Sequence, residues 1–168
     1  PLEMPVEVAR AMQAGVDDAG SSAKLSFWTW SWNGLGLNPQ KPILDALPSK
    51  VILLSDFERG ETVKRLGKEM LVDEYSFSVT GPSKQFREYR DAIRPANREI
   101  WAKIQVNSTH ELATVPNIPL PGILYEKIHA AQKIGVTGLM ATWTMALRPT
   151  LKSVCAGRLL SHPGELPP

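Results

Sequence analysis

Three acidic residues, Asp56, Glu58 and Glu111, each follow a stretch that reads as a β-strand, and each has a cation near it in sequence. Asp56 and Glu58 come just before Arg59, and Glu111 follows His110 and, further back, Lys103. Carboxyl groups beside cations are material for acid and base chemistry, because a nearby positive charge favours the ionised carboxylate. At spacing two, Asp56 and Glu58 would share one face if their strand ran through them. The bland alternatives stay open. Glu111 could cap the following loop or pair with an arginine, and Asp56 and Glu58 could form a salt bridge with Arg59.

The stretch before Glu111 carries a second signal. From Ile100 to Asn107, apolar Ile100, Ala102, Ile104 and Val106 alternate with Trp101, Lys103, Gln105 and Asn107, the period of a strand with two unlike faces. A face holding an ammonium and two amides needs partners, and amides offer both donors and acceptors to a ligand. Trp28, Trp30 and Trp32 also alternate, and on a strand they would floor a pocket from one side.

The elements that must hold these residues follow from periodicity. A helix is expected from Pro5 to Ala19, a strand from Lys24 to Trp32, a loop over 33–39 and a short helix from Pro42 to Leu47. The run Val51–Ser55 reads as a strand buried on both faces. Arg65-Leu66-Gly67-Lys68 marks the turn of a small hairpin, and Tyr75–Val79 a further strand. Ser83 is placed to cap a helix carrying Phe86, Tyr89, Ala92 and Ile93. After the strand at 100–107, a helix from Leu120 to Ile134 stops at Gly135, Val136–Trp143 forms the last strand, and Pro149–Leu160 a terminal helix. Strand starts near 25, 51, 75, 100 and 136 alternate with helices. That order favours a parallel sheet, with polar residues gathered beyond the C-terminal strand ends. The expected architecture is α/β: one domain over residues 5–160 with a tail at 161–168, built as part of a (β/α)8 barrel with about five parallel strands and outer helices.

Composition narrows the partners. With 19 basic and 17 acidic residues, a net charge of +2 and no basic cluster, nucleic acid is not an expected partner. No apolar run approaches the roughly 20 residues of a membrane span. Cys155 is the lone cysteine, His129 falls on a helix and His162 in the tail, so no metal set and no cofactor are expected. Gly34 and Gly36 lack the third glycine of a dinucleotide loop. The first residues carry neither an initiator Met nor a signal segment, so targeting is not readable, and the expectation is a segment of a longer chain.

Phe27-Trp28-Thr29-Trp30-Ser31-Trp32, Leu54-Ser55-Asp56-Phe57-Glu58-Arg59-Gly60, the block from Lys103 to Pro116 and Gly135-Val136-Thr137-Gly138 together resemble the later half of bacterial glycoside-hydrolase-like TIM-barrel proteins. The resemblance spans about residues 5–150 and implies a barrel with a carbohydrate substrate. Glycoside hydrolysis uses two carboxyl groups, roughly 5–5.5 Å apart for retention and 6.5–9.5 Å for inversion. The resemblance therefore nominates Glu111, Asp56 and Glu58 as catalytic candidates. Trp28, Trp30, Trp32, Trp143, Lys103, Gln105, Asn107 and His110 become sugar contacts, with Trp101 left to the core. The alternative is a non-catalytic carbohydrate-binding or structural fragment, completed by the N-terminal half of a barrel or by a second copy.

Overall fold

The computed structural model describes residues 3–35, 40–73, 76–106, 118–141 and 149–162. In chain order the elements are α1 (Glu3–Asp18), β1 (Ser26–Trp28), a 3-10 turn (Thr29–Leu35), α2 (Lys41–Ala46), β2 (Ile52–Asp56), β3 (Thr62–Arg65), β4 (Lys68–Leu71), α3 (Lys84–Ile93), β5 (Ile100–Lys103), α4 (Pro121–Lys133), β6 (Gly138–Met140) and α5 (Leu151–Ser161).

β1, β2, β5 and β6 form a four-stranded sheet in that order, every pair parallel. Each strand lies beside its predecessor in the chain, and crossover segments join them, as parallel pairing requires. The protein is therefore a mixed α/β structure. β3 and β4 stand apart as an antiparallel hairpin between β2 and α3. Its turn uses Leu66 at φ 48° and Gly67 at φ 75°, both left-handed as a two-residue hairpin turn needs.

Register sorts the sheet into two faces. Trp28 lies beside Leu54, Leu54 beside Trp101 and Trp101 beside Gly138, while Asp56 lies beside Lys103 and Lys103 beside Met140. Side-by-side residues of parallel strands point the same way, so Trp28, Leu54, Asp56, Trp101 and Lys103 share one face. The other face carries Phe27, Leu53, Ala102 and Leu139, which join the core with Phe86, Tyr89 and Ile128 from the helices. Complete burial of a side chain such as Phe86 contributes roughly 1.5–3 kcal/mol. Ser83 starts α3 by accepting a hydrogen bond from the Phe86 amide at 3.1 Å, which points Phe86 and Tyr89 into that core. Gly138 is needed where it stands, since a Cβ there would lie 2.5 Å from the Trp101 indole.

Three expectations need correction. The strand expected through Trp32 stops at Trp28, because the chain turns into a 3-10 helix that swings Trp32 into the core against Phe27 and Tyr89. The described part of the strand expected at Tyr75–Val79, residues 76–79, is not extended into a ladder. There the Ser76 hydroxyl accepts from the amides of Ser78 and Val79, a local turn that takes up the donors a strand would offer. The described sheet accordingly has four parallel strands where about five were expected. The strands at 100–107 and 136–143 are also shorter, closing at Lys103 and Met140.

Candidate functional site

β2 and β5 end side by side, and their last paired residues are Asp56 and Lys103. Burial along β2 is complete, because sheet neighbours flank it on both sides and its two faces are covered. Asp56 is therefore delivered into the interior. Its Oδ1 accepts a hydrogen bond from Trp28 Nε1 at 3.1 Å, across the β1–β2 pair. Its Oδ2 has no hydrogen-bond partner among the described residues, and the Arg59 guanidinium stands 4.0 Å away. Burial pushes the Asp56 carboxyl up to about 6, against the pull of Lys103, the Trp28 hydrogen bond and Arg59. The nearby cations favour the ionised form. In the structure desolvation outweighs them.

Two residues on, Glu58 does something different. The β2–β5 ladder continues for one bond beyond Asp56, from the Phe57 amide to the Lys103 carbonyl at 2.9 Å. The Glu58 carboxylate then takes over as acceptor. Its Oε1 receives the Gln105 amide at 2.8 Å and the Lys127 ammonium at 2.7 Å, both within the fully buried interior. Lys127 also donates to the Ser76 carbonyl, which ties α4 to the segment at 76–79. Glu58 is thus the centre of a brace joining β2, β5 and α4. Lys103, the last residue of β5, donates through Nζ to Oε1 of Gln105 just beyond the strand at 3.3 Å.

The tryptophans divide by environment. Trp28 and Trp30 lie together with ring centres 5.9 Å apart, Trp28 half-buried on Asp56 and Trp30 41% exposed. Trp32, expected as a sugar contact, is only 3% exposed and belongs to the core. Trp101 is half-buried over Gly138 on the face shared with Asp56, so its assignment to the core holds only in part. Asn107, His110, Glu111 and Trp143 lie outside the described residues.

Two lysines escaped the sequence reading. Lys127 shares a buried helical face with Leu124, Ile128 and Ala131, and Lys152 shares one with Ala156 and Leu159. Helical spacing alone would have put both ammonium groups inside. Lys152 Nζ stands 3.6 Å from the centre of the Phe77 ring. Burial and, second to it, the charge of Lys127 hold its ammonium down at about 8. Arg98 was also missed. Its guanidinium donates to the carbonyls of Leu47, Pro48 and Val51, securing the entry to β2 at the opposite end from Asp56.

Fold and site together define a parallel α/β protein with a buried carboxyl and lysine cluster where its central strands end. The chain matches no protein-family model, no curated protein and no solved structure. No group of three or more metal-binding side chains occurs among the described residues. No helix among them is long and apolar enough to cross a membrane.

Proposed function

We propose that the four-stranded sheet is a segment of a (β/α)8 barrel and that its C-terminal strand ends attend a carbohydrate. Strands in sequence order without a reversal match barrel winding, whereas doubly wound sheets reverse order at a switch point. The observation that carries the chemistry is Asp56. A carboxyl raised to about 6 holds its proton in part near neutrality, and Oδ2 is the oxygen without a hydrogen-bond partner among the described residues. A carboxyl that keeps its proton near neutrality is in the state a general acid needs, and with Asp56 1% exposed the segments over the strand ends must part before a glycosidic oxygen reaches it. Trp28 orients the carboxyl through Oδ1, and the exposed Trp30 ring beside it offers a surface for a sugar's C–H face. Glu111 remains the proposed second carboxylate, as nucleophile or base. Glu58 is better read as a structural anchor, since its Oε1 is shared by a strand amide and a buried ammonium.

The test is hydrolysis of a panel of aryl glycosides and oligosaccharides by wild type, Asp56→Asn and Glu111→Gln. Turnover by the wild type and at least a hundredfold loss in both variants is expected, in line with the usual contribution of acid–base groups. Sugar binding without turnover, lost on Trp30→Ala, would support the alternative of a non-catalytic carbohydrate-binding domain. The commitment of Glu58 Oε1 to the Gln105 amide and the Lys127 ammonium favours that second reading, because it draws one of the two described carboxyls of the trio into holding strands and helix together.

A further inference from the structure

The hairpin of β3 and β4 departs from local preference in three ways. Arg65 and Lys68 lie side by side in the register, as the last pair before the turn. Like charges directly opposite each other weaken a two-stranded ladder. The turn then holds Leu66 at φ 48°, a position that favours asparagine or glycine. Its side chain is fully exposed, so the leucine gains no burial in exchange. Met70 and Leu71 on β4 are also 52% and 68% exposed. Sequences depart from local consistency chiefly where a site requires it.

The order of residues along the hairpin indicates what it meets. Leu66 is outermost, Arg65 and Lys68 stand one step behind it, and Lys64 lies beside Glu69 a step further back. All of these are exposed, and from Thr62 to Leu71 three cations stand against one carboxylate. An apolar point backed by a belt of cations matches a bilayer surface with anionic headgroups, where anions lie outside and hydrocarbon begins just beneath. A nucleic acid would answer the cations yet leave Leu66, Met70 and Leu71 without an apolar partner.

We propose that the β3–β4 hairpin docks the protein on an anionic phospholipid surface. Leu66 enters the boundary between headgroups and acyl chains, while Arg65, Lys68 and Lys64 face headgroup phosphates and carboxylates. An anion seated between Arg65 and Lys68 relieves their mutual repulsion. Each strand of the hairpin has four residues, against the roughly 9–11 of a spanning β-strand, so the hairpin rests on the bilayer and does not cross it. Docking of this kind is independent of the carbohydrate reading above.

Co-sedimentation of the full chain with vesicles of phosphatidylcholine and phosphatidylserine tests it, beside vesicles of phosphatidylcholine alone and a duplex oligonucleotide. The wild type is expected to bind the anionic vesicles at least tenfold more tightly than the neutral ones, and to be released as salt rises from about 0.1 M to 1 M. Two variants separate docking from folding. Arg65→Glu sets opposite charges across the ladder, and Leu66→Asn supplies a residue the turn prefers, so both should melt at or above the wild-type temperature. Each should nonetheless weaken vesicle binding at least fivefold. A wild type that stays in the supernatant at about 1 mM anionic lipid overturns the proposal. Equal binding to neutral vesicles, tighter binding to the oligonucleotide, or vesicle binding that neither variant weakens overturns it as well.

Discussion

Trp28 Nε1 donates to Asp56 Oδ1 at 3.1 Å, joining two neighbouring strands through their side chains at the point where β2 ends. The bond favours the ionised carboxylate, whereas burial favours the neutral acid and prevails, with the carboxyl at about 6. Folding therefore takes up a proton at Asp56 between about pH 4 and pH 6. Stability contributed by the protonated acid is present below the unfolded value of 3.8 and is lost as pH rises through about 6. Chemical denaturation from pH 4 to 7 should show a decline on the order of 2 kcal/mol from this group. Asp56→Asn should flatten that part of the profile. An unchanged slope in the variant would mean that other groups set it.

Trp28→Phe keeps the ring and removes the donor. The Asp56 carboxyl should then titrate at higher pH, by about half a unit or more, in a carbon-detected NMR titration of the carboxyl. A shift to lower pH would contradict the assigned direction of the bond's effect.

Glu58 and Lys127 are 0% and 1% exposed and meet at 2.7 Å. Removing either partner strands the other charge in the interior. Glu58→Gln and Lys127→Met should each cost about 3–5 kcal/mol, while the double variant should recover much of that loss. Urea denaturation of the four proteins completes the cycle. Additive losses would show that the two groups do not act as a pair.

Lys152 is buried against Phe77, with its ammonium held at about 8 against an ordinary 10.5. The folded state binds fewer protons there than the unfolded chain, so stability should rise as pH goes from about 8 towards 10.5. Lys152→Met should melt higher than wild type at pH 7 by a few degrees, with the gap narrowing by pH 10. A gap independent of pH would point to packing rather than charge.

Gly138→Ala places a methyl 2.5 Å from the Trp101 indole on the neighbouring strand. A cost of about 1–3 kcal/mol is expected, measured by thermal melting. Trp101→Leu in the same chain should relieve part of it.

Where the sequence was informative, periodicity was the reason. The alternation of Ile100, Ala102, Ile104 and Val106 with Trp101, Lys103 and Gln105 marked a strand with one core face, and the core contains the first set. Ser83 before Phe86 and the Leu66-Gly67 turn were legible because capping and left-handed turns use few residue types. Trp32 misled, since an alternating pattern cannot announce that the chain will coil to bury an indole. Ser76 misled in a similar way, its hydroxyl offering the backbone a local partner. The roles of Asp56 and Glu58 could not be separated in sequence at all. They differ through Lys127, which is 69 residues away from Glu58 along the chain.

The hairpin of β3 and β4 leaves the sheet just beyond Asp56, and its tip residue Leu66 is fully exposed. Neither strand of the hairpin pairs with the main sheet. Position 66–67 is consequently a handle. A fluorophore, a short peptide tag or an immobilisation anchor grafted there would leave the main sheet untouched.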